Sequence, residues 1–141
     1  MGARAGDKTL AKILICEDDD LYRQIAEAAF AGGNHTILLA KNGDEALALL
    51  RKETVDLIVT DLVMPGKDGL EVIRAIREAH NRMPILAMTA GLASLKEPLL
   101  VAASALGADD VIEKPFRPPA LRERADALLA KAAAQPGESA A

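Results

Sequence analysis

The 141-residue sequence has no tryptophan, one tyrosine and two phenylalanines. An aromatic core is therefore excluded. Half of the residues are hydrophobic, so the core must be built from Leu, Ile, Val, Ala and a little Met. A single cysteine, Cys16, excludes an internal disulfide and most cysteine-based metal sites. It lies in an apolar run, as a small core residue does. Positive charge is not in excess. The net charge of −4 supplies no basic field to attract nucleic acid or anionic lipid. No apolar stretch reaches the roughly 18 residues that a membrane span needs. "MGARAGDKTLA" lacks the apolar segment of a secretory signal, and Gly6 stands where myristoylation requires Ser or Thr. A soluble, cytoplasmic protein is expected. No phosphate-binding glycine loop is present, which argues against nucleotide hydrolysis. The length suits one domain with a proper core.

What is present is a regular series of short apolar runs: "KILIC" (12–16), "HTILLA" (35–40), "VDLIVTD" (55–61), "MPILAMTA" (83–90) and "DDVIEK" (109–114). Several lack alternation, as strands covered on both faces do. Helical periodicity fills the gaps. Leu21, Ile25, Ala28 and Ala29 share a face in the first gap, and Ala46, Leu47 and Leu50 point inward from a helix over roughly 42–53. Leu70, Ile73 and Ile76 mark the third helix. Leu99, Ala102, Ala103 and Leu106 mark the fourth, and Leu121, Ala125, Leu128 and Ala132 the last. Asn42 with Glu45, and Asp68 with Glu71, have capping-box spacing. Gly107 fits a helix stop, and Pro118 and Pro119 fit a first turn. Asp20 is expected to cap the first helix, leaving Asp19 facing solvent or adding in a minor way to the field at a metal.

The order βαβαβαβαβα predicts one five-stranded parallel sheet with helices on both faces, an α/β domain over residues 11–133. Residues 1–10 and 134–141 are expected to be tails. In such sheets, ligands bind beyond the carboxyl ends of the strands. Glu17, Asp18 and Asp19 follow the first strand, Asp61 ends the third, Thr89 the fourth, and Lys114 follows the fifth. Carboxylates this close repel one another. Hard oxygen ligands select a hard divalent cation, Mg²⁺ above all, which would relieve the repulsion and bind a phosphoryl oxygen. A lysine and a hydroxyl would hold the other oxygens. One carboxylate could then attack phosphorus to give an acyl phosphate. Pro65 and Gly66 predict a turn after Asp61. A cis Lys114–Pro115 bond would aim the lysine back at the pocket.

The stretches "ILICEDD", "DLIVTDLVMPGKDG", "PILAMTA" and "GADDVIEKPF" together resemble a response regulator receiver domain of bacterial two-component signalling. They anchor almost all of residues 11–132. The resemblance implies the three-layer flavodoxin-like (βα)5 fold with strand order 2-1-3-4-5. It implies that Asp61 is the phosphoacceptor and that Glu17 and Asp18 hold Mg²⁺, Asp18 directly and Glu17 through water. Val63 would lend its backbone carbonyl to the metal, with Thr89 as the switch hydroxyl and Lys114 as the phosphoryl-binding lysine. It implies a phosphohistidine donor on a histidine kinase or phosphotransfer protein. With no effector domain after the last helix, output would come through a downstream protein target rather than nucleic acid or membrane. A monomer or weak homodimer would result.

Some positions depart from the family pattern. Val111 stands where the family usually has Tyr or Phe. "AGLASLKEP" reads as a longer loop, with the fourth helix starting near Glu97 and Pro98. Val63 and Gly91 occupy positions that often carry polar, water-orienting groups, so slow loss of the phosphoryl group is expected. A dehalogenase-type phosphatase would want an acid at position 63, where Val63 stands. A pseudo-receiver scaffold is favoured mildly by Val111 and disfavoured by the complete acidic set with Lys114. Outside the site, Phe116 should anchor the last helix. Tyr22, His35 and His80 should be surface residues, and Arg117, Arg122 and Arg124 should form a solvated face.

Overall fold

In a computed structural model, the structure describes residues 10–64, 66, 68–90 and 93–134, with backbone alone over 93–97. The expected Pro65 turn, the Gly91 position and most of the two expected tails lie outside these residues. Five strands alternate with five helices: β1 (Lys12–Cys16), α1 (Asp20–Ala28), β2 (Thr36–Ala40), α2 (Gly43–Lys52), β3 (Leu57–Asp61), α3 (Gly69–Glu78), β4 (Ile85–Thr89), α4 (Ala93–Leu106), β5 (Asp110–Glu113) and α5 (Pro118–Ala133). The sheet is parallel throughout, in the order β2-β1-β3-β4-β5. This is the expected flavodoxin-like topology.

Apolar runs without alternation form β1, β3 and β4 because both faces are covered, whereas the edge strands β2 and β5 are only partly buried. Ile13 and Ile15 face one side with Leu57, Val59, Leu86 and Met88, against Ala26 and Phe30 of the α1 region and Leu121 and Ala125 of α5. Leu14 and Cys16 face the other side with Ile58, Ile85 and Ala87, against Ala46 of α2, Val72, Ile73 and Ile76 of α3 and Ala103 of α4. Each large aliphatic chain fully buried here contributes on the order of 1.5–3 kcal/mol. Cys16 lies in this core as expected. Burial pushes its thiol up to about 12, against a lowering hydrogen bond with Thr60, so it stays protonated.

The caps set where the helices begin. Asp68 and Glu71 form a full capping box on α3, with Glu71 N–H donating to Asp68 Oδ1 at 3.0 Å and Asp68 N–H to Glu71 Oε1 at 3.2 Å. On α2, Asn42 Oδ1 accepts from Glu45 N–H at 2.8 Å, but Glu45 Oε1 accepts from Lys41 N–H rather than from Asn42. On α1 the expectation was wrong by one residue. Asp19, not Asp20, is the N-cap, accepting from Tyr22 N–H at 3.0 Å. Asp20 instead pairs with Arg23.

The buried face of α1 also differs from the expected one. Leu21 is 62% exposed and Ala28 is exposed, while Tyr22 and Ile25 are half-buried and Ala26 and Ala29 are buried. At the other end of the chain, Ala132 is exposed, beyond Leu128 and Leu129, which still pack on the core. Helix α4 begins at Ala93, four residues before the expected start. Pro98 sits inside it. A proline lacks the N–H that an interior position donates, which is why it reads as a helix start in sequence.

The α4 stop at Gly107 is as expected, with φ of 116° and Ala108 N–H donating to Ala103 O at 2.9 Å. A Cβ at Gly107 would lie 2.8 Å from Arg77 Cγ. The Arg77 guanidinium occupies that space and donates to Gly107 O (2.9 Å), Asn81 O (2.7 Å), Met83 O (2.8 Å) and Asp109 Oδ2 (2.9 Å). It ties together the ends of α3 and α4 and the approach to β4.

His80 is exposed as expected, but His35 is half-buried. Its Nδ1 accepts from Ala11 N–H at 2.9 Å, and its ring meets Phe30 edge-on. The arginine face is partly paired: Arg117 is exposed, Arg122 lies 3.7 Å from Asp126, and Arg124 reaches Asp110 at 3.1 Å. No helix among the described residues is long and apolar enough to cross a membrane.

Candidate functional site

The sheet ladder runs one residue past several strand ends, and this places the site. Glu17 N–H donates to Ala40 O at 3.0 Å, Leu62 N–H to Met88 O at 2.9 Å and Lys114 N–H to Thr89 O at 2.7 Å. Backbone pairing therefore carries Glu17, Asp61, Thr89 and Lys114 to one edge. The β3–α3 loop closes tightly under Asp61. Gly69 N–H donates to Leu62 O at 3.1 Å, and a Cβ on Gly69 would lie 2.0 Å from Asp61 O. Only glycine allows this approach. Gly66, in the same loop, has φ of 77°.

Glu17, Asp18 and Asp61 each present a carboxylate oxygen, all within 4.8 Å of one another. Glu17 is fully buried and Asp61 is 5% exposed, while Asp18 opens to solvent. Glu17 Oε1 accepts from Lys114 Nζ at 2.7 Å, and Glu17 Oε2 from Asp19 N–H at 3.1 Å. Asp61 Oδ1 lies 3.5 Å from Lys114 Nζ. The Lys114–Pro115 peptide is cis.

Charge is unbalanced in this pocket. Burial and the Glu17 charge push the Asp61 carboxyl up to about 6; Lys114 opposes the shift and Asp18 adds to it. For Lys114, burial acts against the charge, but the Glu17 hydrogen bond and the Asp61 charge outweigh it and hold the ammonium above its ordinary range. Among the described residues, three clustered carboxylates thus have one ammonium beside them. The donor set, all hard oxygens and partly buried, fits a hard divalent cation such as Mg²⁺. Glu17, Asp18 and Asp61 would hold it.

Thr89 is 1% exposed, and its hydroxyl has no hydrogen-bond partner among the described residues. A buried hydroxyl of this kind costs on the order of 1–3 kcal/mol. Val111 packs against the core cluster that holds Ala87 and Ala103. Val63 is 55% exposed. Tyr22, expected at the surface, is half-buried instead. Its ring meets Phe116 edge-on with centroids 5.8 Å apart, and Lys114 Nζ lies 4.4 Å from its centroid. The available signal was its position. It falls in the first turn of the helix that starts at the acidic strand end. Phe116 packs on the core as expected.

Comparisons with known proteins agree with this geometry. Residues 13–126 match the family model described as the response regulator receiver domain. The transcriptional regulatory protein ResD of Bacillus subtilis is 40% identical over 121 residues, covering 86% of this chain and 49% of ResD. The transcriptional regulatory protein AfsQ1 of Streptomyces coelicolor is 34% identical over 131 residues, covering 93% of this chain and 56% of AfsQ1. The chain thus spans about half the length of these relatives. The chemotaxis protein CheY4 of Vibrio cholerae superposes with a TM-score of 0.75 at 29% identity, covering 85% of this chain and 99% of that one. By sequence, by fold and by the residues gathered at its strand ends, the chain belongs to the response regulator receiver domain family of two-component signalling.

Proposed function

We propose that Asp61 is the phosphoacceptor of a signalling switch, taking a phosphoryl group from a phosphohistidine on a histidine kinase or phosphotransfer protein. The observation that carries the reading is the Asp61 carboxylate, crowded by two other acids and lying 3.5 Å from the Lys114 ammonium. An Asp61 oxygen attacks phosphorus in line, the P–N bond of the donor breaks, and the imidazole leaves with a proton. Lys114 shifts from Glu17 towards the phosphoryl oxygens as their charge redistributes. Mg²⁺, bound by Glu17, Asp18, Asp61 and the Val63 carbonyl, would supply charge neutralisation to the acids and to the incoming group. The Thr89 hydroxyl, buried and without a partner among the described residues, turns to a phosphoryl oxygen and satisfies its hydrogen bond there. That pull biases an existing two-state equilibrium of the segment after β4.

Output is proposed to run through contact with a downstream protein. The names of ResD and AfsQ1 describe proteins about twice as long. A cytoplasmic site of action fits the family. The chain assists its own phosphorylation rather than turning over a substrate. Val63, apolar beside the pocket, offers no group to orient an attacking water, so the acyl phosphate should be lost slowly. A lifetime of only seconds after removal of the donor would contradict this.

The test is incubation with Mg²⁺ and acetyl phosphate, followed by mass spectrometry beside Asp61→Asn. A switch gains one labile phosphoryl group that the variant lacks. Many turnovers of donor would indicate a hydrolase, and no modification would indicate a scaffold.

A further inference from the structure

We infer that Tyr22 is a positioning residue for Lys114, holding its ammonium at the acid pocket through the face of the ring; this rests on the phosphoacceptor reading above. Lys114 Nζ lies 4.4 Å from the Tyr22 ring centroid, inside the roughly 6 Å over which an aromatic face attracts a cation. The ring is itself fixed. It meets Phe116 edge-on with planes at 61°, and Phe116 packs on the core shared by Leu121 and Ala125 of α5. The backbone N–H of Tyr22 is held by Asp19. Ring and lysine are thus anchored from two different elements, α1 and the β5–α5 connection.

The contact gives the lysine what the carboxylates alone do not. A lysine stem is flexible and its ammonium strongly hydrated. Here the side chain is only 10% exposed, and an aromatic face is one of its neighbours. Glu17 at 2.7 Å and Asp61 at 3.5 Å attract the charge. During transfer Lys114 must leave Glu17 for a phosphoryl oxygen. A π face makes no fixed hydrogen bond, so it holds the ammonium within reach of both positions without opposing the exchange.

Tyr22→Leu, Tyr22→Met and Tyr22→Phe separate this role from simple packing. Phosphoryl gain from acetyl phosphate with Mg²⁺ is timed by mass spectrometry, with thermal melts to confirm that each variant is folded. The Leu and Met variants should be slower by roughly 3- to 10-fold, and Tyr22→Phe should stay within about twofold of wild type. Proton NMR of Lys114 supplies the signature. Its ε-methylene protons should be shifted upfield by the ring in wild type and Tyr22→Phe, and return to ordinary positions in Tyr22→Leu. Leu and Met variants as fast as wild type, a Phe variant as slow as Leu, or no upfield shift in wild type would each overturn the inference. A wild type that takes no phosphoryl group would overturn the phosphoacceptor reading and this one with it. Slow variants beside a competent wild type bear on Tyr22 alone.

Discussion

At the N-terminal ends of the strands, charged groups are matched to partners. Arg77 donates to three carbonyls and to Asp109, and Asp109 Oδ2 also accepts from Ile85 N–H at 2.8 Å. Lys12 gives its N–H to Asp56 at 2.8 Å and its ammonium to Glu53 at 2.7 Å. At the C-terminal ends, Glu17 and Asp61 share the Lys114 ammonium, Asp18 lies beside them, and among the described residues the buried Thr89 hydroxyl has no partner. The same sheet is satisfied at one end and left electrostatically strained at the other. The unmatched groups lie where a cation and a phosphoryl group would meet them.

The contrast can be broken from either side. Gly69→Ala should have the largest effect. A methyl 2.0 Å from Asp61 O must displace the loop or the strand end, costing about 3 kcal/mol and misplacing Asp61. Urea unfolding together with phosphoryl uptake reads both consequences. At the satisfied end, Arg77→Met strands the Gly107, Asn81 and Met83 carbonyls, and a loss of about 2–3 kcal/mol in the same measurement is expected.

Removing charge from the strained end should act in the opposite sense. The Asp61 carboxyl is raised from 3.8 to about 6 by folding. The folded state therefore binds the extra proton, and stability must fall as pH rises through that interval. Without Mg²⁺ and near neutral pH, Asp61→Asn should be more stable than wild type by about 2–3 kcal/mol. Well below the ordinary value of 3.8, where the carboxyl is protonated folded or unfolded, the advantage should vanish. Thr89→Val should give the smallest change, a gain of about 1 kcal/mol, since it replaces an orphaned hydroxyl with a methyl of similar size. A loss of stability would mean that the hydroxyl has a partner after all.

The sheet was legible because strands covered on both faces must be apolar, as β1, β3 and β4 are, and the two edge strands fell at the same regular spacing. The site was legible because parallel strands deliver their carboxyl ends to one edge, so Glu17, Asp61, Thr89 and Lys114 had to converge. Helix α1 was less so. Asp19 and Asp20 offer equivalent caps in sequence, and only the loop that binds Asp19 N–H to Glu17 favours one over the other. Leu21 looks more like a core residue than Tyr22, yet the latter has Phe116 and Lys114 to meet and Leu21 has solvent. For α4, Pro98 concealed a helix already under way. Arg77 left little signal, because three of its four partners are backbone carbonyls that have no side-chain identity to read and the fourth, Asp109, is 32 residues away.

The most direct test of the central claim is the urea-unfolding stability of wild type and Asp61→Asn as Mg²⁺ is raised. If the C-terminal end of the sheet holds a divalent cation, wild type should gain about 1.4 kcal/mol per tenfold Mg²⁺ above its dissociation constant. Asp61→Asn should respond far less. A wild type indifferent to Mg²⁺, or a variant that follows it step for step, would contradict the account.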